Sequence, residues 1–125
     1  MLLAVPLLAS GPAAALMPPY VYENARRDAA SVIVIEVRTV MPPSTPFGAC
    51  RVEGRVAKVE RGAAFKPGGA VALAVPCVQP GAQPPLGGTI YQPVPSLSAS
   101  RYGRAWLDAA GQIVQSQYQQ LERLP

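Results

Sequence analysis

The stretch CRVEGRVAKVERGAAFKPGGAVALAVPC, residues 50–77, constrains the fold more than any other part of the chain. It holds both cysteines and two alternating apolar runs separated by residues rich in Gly and Pro. Successive side chains of a strand point to opposite faces, so Cys50, Val52, Gly54 and Val56 share one face and Arg51, Glu53 and Arg55 the other. In the second run, residues 70–76, Val71, Leu73 and Val75 share a face with Cys77. Val59 breaks the first alternation, which predicts a bulge or strand end near Lys58. Gly62 and Lys66-Pro67-Gly68-Gly69 carry turn chemistry. Both cysteines are in register with the bulky apolar residues of their own strand. The expectation is two antiparallel strands stapled by a Cys50–Cys77 disulfide, stabilising the fold by roughly 3–4 kcal/mol in the chain-entropy model. A redox pair would want closer spacing, such as C-x-x-C. A metal site would need more ligands than two cysteines, and the chain has no histidine.

The remaining segments fit the same class. With 15 Pro and 11 Gly in 125 residues and only 14% charged residues, long helices are disfavoured and short strands joined by turns are favoured. Residues 31–40, SVIVIEVRTV, form the clearest strand; they are rich in β-branched residues, with Ile33, Ile35 and Val37 on the core face. The predicted core is Ile33, Ile35, Val37, Val52, Val56, Val71, Leu73 and Val75. Prolines 42, 43 and 46 end the first strand. Residues 78–100 form a long Pro/Gly-rich loop with a possible short strand at Thr89-Ile90-Tyr91 and one helical turn at 95–100. The C-terminal segment 101–125 has two readings. A helix would place Leu107, Ala110, Val114, Tyr118 and Leu121 on one stripe, with Gly111 in its middle. A hairpin would turn at Asp108-Ala109-Ala110-Gly111, Asp first and Gly last as a type I turn prefers, and this is the favoured reading.

The N-terminus speaks to location. Residues 1–15, MLLAVPLLASGPAAA, read as a signal peptide: an apolar run too short to span a bilayer, then small residues acceptable for cleavage. The n-region has no Lys or Arg, so either the true translation start lies upstream or the α-amino group alone supplies the positive charge; the competing reading is a buried N-terminal strand or helix. Residues 16–30 follow as an N-terminal segment in which Pro18-Pro19 can open one or two helical turns. Residues 31–121 are expected to form a single β-barrel-like domain. Export to the periplasm or outside the cell matches an even cysteine count and a disulfide. No stable membrane anchor is expected.

The order of an apolar strand, CRVEGRVAKVERG, the turn FKPGG, and VALAVPC resembles the OB-type barrel of netrin-like and metalloproteinase-inhibitor-like domains, where a V-x-G-x-V strand precedes a G-x-x-V-x-L strand and a structural disulfide. The chain also resembles small exported bacterial proteins with the same cassette and a closing YGRAWLD…G hairpin. The resemblance covers about residues 30–119. It implies a mostly β fold: a small five-stranded OB-like Greek-key barrel with one disulfide and at most short helices. Inhibitors of that family chelate zinc through an N-terminal cysteine. Residues 16–22 contain none, so that mechanism does not carry over.

Function is bounded mainly by exclusion. Without histidine there is no ordinary triad, and the seven acids (Glu23, Asp28, Glu36, Glu53, Glu60, Asp108, Glu122) are scattered. No catalytic, cofactor-binding or metal-binding set emerges. The net charge of +4 is dispersed, several basic residues sit beside acids (Arg51/Glu53/Arg55, Glu60/Arg61), and Arg26-Arg27 reads as a solvated pair. Aromatic residues are not interleaved with a basic cluster, so nucleic acid is not the expected partner. The expectation is a non-catalytic, exported binding or interaction module, with an envelope protein or polysaccharide as its partner. Protease-inhibitor-like and small-ligand carrier roles are the alternatives, and a hydrolytic enzyme ranks lower. The loops at 41–49 and 78–100 are the candidate binding surfaces.

Overall fold

The computed structural model describes residues 17–125; the expected signal peptide, residues 1–15, lies outside the described residues. Helix α1 (Pro19–Asp28) is followed by strands β1 (Ser31–Met41), β2 (Phe47–Arg61), β3 (Ala70–Val78) and β4 (Gln92–Pro93), helix α2 (Val94–Ala99), and strands β5 (Tyr102–Leu107) and β6 (Ile113–Leu121). All six strands form one mixed sheet in the order β4-β3-β2-β1-β5-β6, curled into a half-barrel. Every pair is antiparallel except the two-residue parallel ladder of β4 on β3.

The strand patterning explains the curl. Ile33 and Ile35 of β1 are fully buried and face Ala105 and Gly103 of β5. On β2, Val34 pairs with Lys58 but Ile35 pairs with Val56, so Ala57 is an extra residue that returns Val59 to the core side. This is the irregularity that the broken alternation near Lys58 signals. Two further register shifts along β1 and β2 add twist. The β2–β3 connection closes with a type II turn: Gly69 N–H donates to Lys66 O at 3.0 Å, Pro67 takes the second position and Gly68 has φ +88°. Gly68 N–H to Val56 O and Val56 N–H to Gly69 O make it a glycine bulge.

Cys50 and Cys77 are both fully buried and joined by a disulfide with a Cα–Cα distance of 5.7 Å. They lie inside the core with Ile33, Ile35, Val52, Val56, Leu73, Val75, Ala105, Leu107 and Tyr118, and Leu97 of α2 packs into the same cluster. Val37 and Val71 are half-buried at its margin. The disulfide points to an oxidising compartment. Among the described residues, no helix is long and apolar enough to cross a membrane.

The C-terminal segment is a hairpin. Gly111 N–H donates to Asp108 O at 2.9 Å, and the Asp108 carboxylate accepts from the amides of Ala110 and Gln112. The expected count of five strands is one short, and the sheet stops at a half-barrel. The extra strand is β4, which begins immediately after the Thr89-Ile90-Tyr91 stretch; those three residues are not in a strand. Its Gln-Pro pair has no strand propensity of its own and is placed by Cys77 and Val78 of β3. The first loop is also shorter than 41–49, because Met41 ends β1 and Phe47 already begins β2.

Candidate functional site

Strand alternation on β5 buries Gly103, Ala105 and Leu107 and leaves Tyr102, Arg104 and Trp106 on the outer face. Trp106, the only tryptophan, is paired with Val32 of β1. Helix α1 brings Arg26 to it: the guanidinium carbon lies 5.9 Å from the Trp106 ring centroid. Arg26 Nη1 also donates to Gln117 Oε1 at 2.6 Å. Gln117 is a buried polar side chain on β6, and its Nε2 donates to Gln115 O at 2.8 Å.

The backbone beneath these contacts is strained. Gln115 and Ser116 have φ +44° and +60°, two consecutive left-handed residues without glycine. Each such residue costs about 1–2 kcal/mol for a side chain with a Cβ. The kink interrupts the β5–β6 ladder between the Ala105–Tyr118 and Leu107–Ile113 pairs. It points the Ser116 hydroxyl at the long loop, where it accepts from Ile90 N–H at 3.2 Å. Arg26, Ile90, Gln92, Trp106, Ser116 and Gln117 together line a cleft of about 430 Å³.

Arg26 is the one charged residue among those that line the cleft. Arg104, which borders the other side of Trp106, is held bidentately by Glu60 at 2.7 and 2.9 Å. The hydrogen bond and charge of Arg104 keep the Glu60 carboxyl below the ordinary carboxylate range. Arg61 does not pair with its sequence neighbour Glu60. Its Nη1 instead donates to the carbonyls of Arg26, Arg27 and Ala29, capping the C-terminal end of α1. Among the described residues, neither Arg26 nor Arg61 has a carboxylate within ion-pair distance.

Of the two loops singled out from sequence, the one at 78–100 contributes Ile90 and Gln92 to the cleft and the one at 41–49 contributes nothing. The prolines of the first loop are exposed or half-exposed, with Thr45 Oγ1 donating to Phe47 O at 2.7 Å. Sequence reading set Arg26 aside as half of a solvated pair, whereas it engages Gln117 and Trp106, and it gave no role to Trp106, Ser116 or Gln117. The available signal was the glutamine-rich QSQYQQ of residues 115–120 following the sole tryptophan. The separation of aromatic from basic residues holds only along the chain, since folding sets Trp106 among Arg26, Arg61 and Arg104. Among the described residues, no three His, Cys, Asp or Glu are placed to hold a metal ion. Compared with protein-family models, curated proteins and solved structures, the chain matches none of them.

Proposed function

We propose that this chain is an exported, disulfide-stabilised, non-catalytic binding module on an OB-like barrel, and that the Trp106 cleft is its contact surface. The observation that carries the reading is the convergence of the sole tryptophan, a cation without a carboxylate partner and the buried Gln117 on one cleft, beside two strained residues. Strain of this kind persists where surrounding structure enforces it and is concentrated at binding sites. The OB-like reading is supported by topology. β1, β2 and β3 follow one another, and β5 returns by the long connection to lie antiparallel beside β1, which is Greek-key order.

The packed interior favours this reading over a small-ligand carrier. Ile33, Ile35, Val52, Val75, Leu97 and Leu107 fill the concave side, so an enclosed apolar ligand has no place there. The ligand class that suits an indole face, guanidinium groups and several side-chain amides is a polyhydroxylated chain bearing carboxylates, such as an acidic envelope polysaccharide. The test uses Trp106 as the reporter. Polygalacturonate oligomers should give a saturable change in its fluorescence, and Arg26→Gln should weaken that binding at least about tenfold. Neutral dextran should give no response. A response to no saccharide, or tighter binding of a single-stranded oligonucleotide, would overturn the assignment.

A further inference from the structure

Helix α1 carries Arg26 to the cleft, and little in its own sequence holds it there. Its ten residues are fewer than an isolated helix needs to be stable in water. No side chain caps its first turn, and no glycine closes its last: Ala29 follows with φ −58° and ψ 138°, outside the helical range. Of the ten, only Tyr22 is buried. The position of α1 therefore rests on bonds to the rest of the chain. Tyr22 Oη donates to Gly88 O at 2.7 Å, Arg26 donates to Gln117, and Arg61 supplies the remainder.

Arg61 is the last residue of β2 and is paired with Val32 of β1. Gly62 follows with φ +93°, and a Cβ there would meet the Ala30 carbonyl oxygen and Ser31. The end of β2 is thus seated directly against the junction of α1 and β1. From that seat Arg61 Nη1 reaches the carbonyls of Arg26 at 2.7 Å, Ala29 at 3.0 Å and Arg27 at 3.2 Å. A helix end leaves such carbonyls without partners, at the negative end of its dipole. One of the three belongs to Arg26 itself. Arg27, in the same turn, pairs in solvent with Asp28 instead.

We propose that Arg61 is the positioning residue of the Trp106 cleft, a role that rests on reading that cleft as the binding surface. It touches no ligand and acts through Arg26. By fixing the end of α1 it keeps the Arg26 guanidinium between the Trp106 ring and Gln117 Oε1. Without it, α1 spends part of its time released, and only the fraction with Arg26 in place is competent to bind.

The test is a double-mutant cycle on the oxidised protein with polygalacturonate oligomers, read by Trp106 fluorescence, beside amide hydrogen exchange of residues 25–28. Arg61→Met keeps the length of the side chain and removes the donor. It should weaken binding about three- to tenfold and speed exchange in the last turn of α1. In the Arg26→Gln background the same substitution should change affinity by less than about twofold, because the residue it positions is already gone. Arg27→Gln removes the same charge from the same helix end and should leave affinity within about twofold of the parent. Equal losses from Arg61→Met in both backgrounds would make Arg61 a ligand contact and overturn the proposal, as would an equal loss from Arg27→Gln. A parent that binds no acidic saccharide would defeat the reading of the cleft alone. Arg61 is then judged by exchange and by the near-ultraviolet dichroism of Trp106: both altered in Arg61→Met upholds its positioning role, and both unchanged overturns it.

Discussion

Tyr118 shows how one side chain can set both local packing and pH response. Its ring fills the space left by Gly103, whose missing side chain would otherwise occupy the position of the phenol. The residue is buried in the core, and that burial pushes its hydroxyl up to about 12 from an ordinary 10. The sign follows from proton binding. Above pH 10 the unfolded chain gives up this proton while the folded protein keeps it, so the unfolded state binds fewer protons and stability falls as pH rises. The Tyr118 contribution is complete below pH 10, and on the order of 2 kcal/mol of it is gone by pH 12. Denaturant midpoints measured across that window should fall less steeply in Tyr118→Phe than in the parent. An identical alkaline slope in the two proteins would show that Tyr118 does not titrate late.

At the scale of the elements, the β1–β2 ladder needs a residue without a side chain on its concave face. A Cβ at Gly54 would meet the Glu36 carbonyl and the Cα of Val37, both backbone atoms that cannot swing aside. Gly54 thus permits the close approach that goes with the register shift between Val37 and Thr39. Gly54→Ala is expected to lower stability by about 1–3 kcal/mol, the range for overpacking a tight site, read as a lower denaturant midpoint with unchanged slope. A neutral result would mean that the two strands separate there freely. β2, β3 and β5 were legible through a period of two, β1 through its run of β-branched residues, and the final hairpin through Asp108 and Gly111, which decide it against the helix. β4 was not legible, since its two residues are strand only through β3. Nor was the cleft. It joins Arg26 to Gln117 across 91 positions of sequence and depends on left-handed backbone at Gln115 and Ser116, which neither residue type announces.

For the molecule as a whole, the question is what holds a half-barrel curled when its edge strands do not form a ladder with each other. Side-chain amides span the gap. Gln92 Nε2 donates to Tyr118 O at 2.7 Å, Gln120 Nε2 to Gln92 Oε1 at 2.6 Å, and the Ser100 hydroxyl to Gln120 Oε1 at 2.8 Å. Such bonds are worth about 0.5–1.5 kcal/mol each, too little to fix the curvature alone. The disulfide acts on a larger scale. Joining residues 27 positions apart, it should contribute roughly 3–4 kcal/mol by restricting the unfolded chain. Domains of this size have a net stability of about 5–15 kcal/mol, so the staple is a large share of the whole. Reduction of the parent isolates its effect, because the two thiols occupy nearly the same buried space. Cys50→Ala/Cys77→Ala adds the loss of packing at two fully buried positions and should fall further. The expected order of urea midpoints is oxidised parent, then reduced parent, then double variant. A reduced parent as stable as the oxidised one would show that core packing alone holds the curl, and the cysteines would then be ordinary core residues that happen to be bonded.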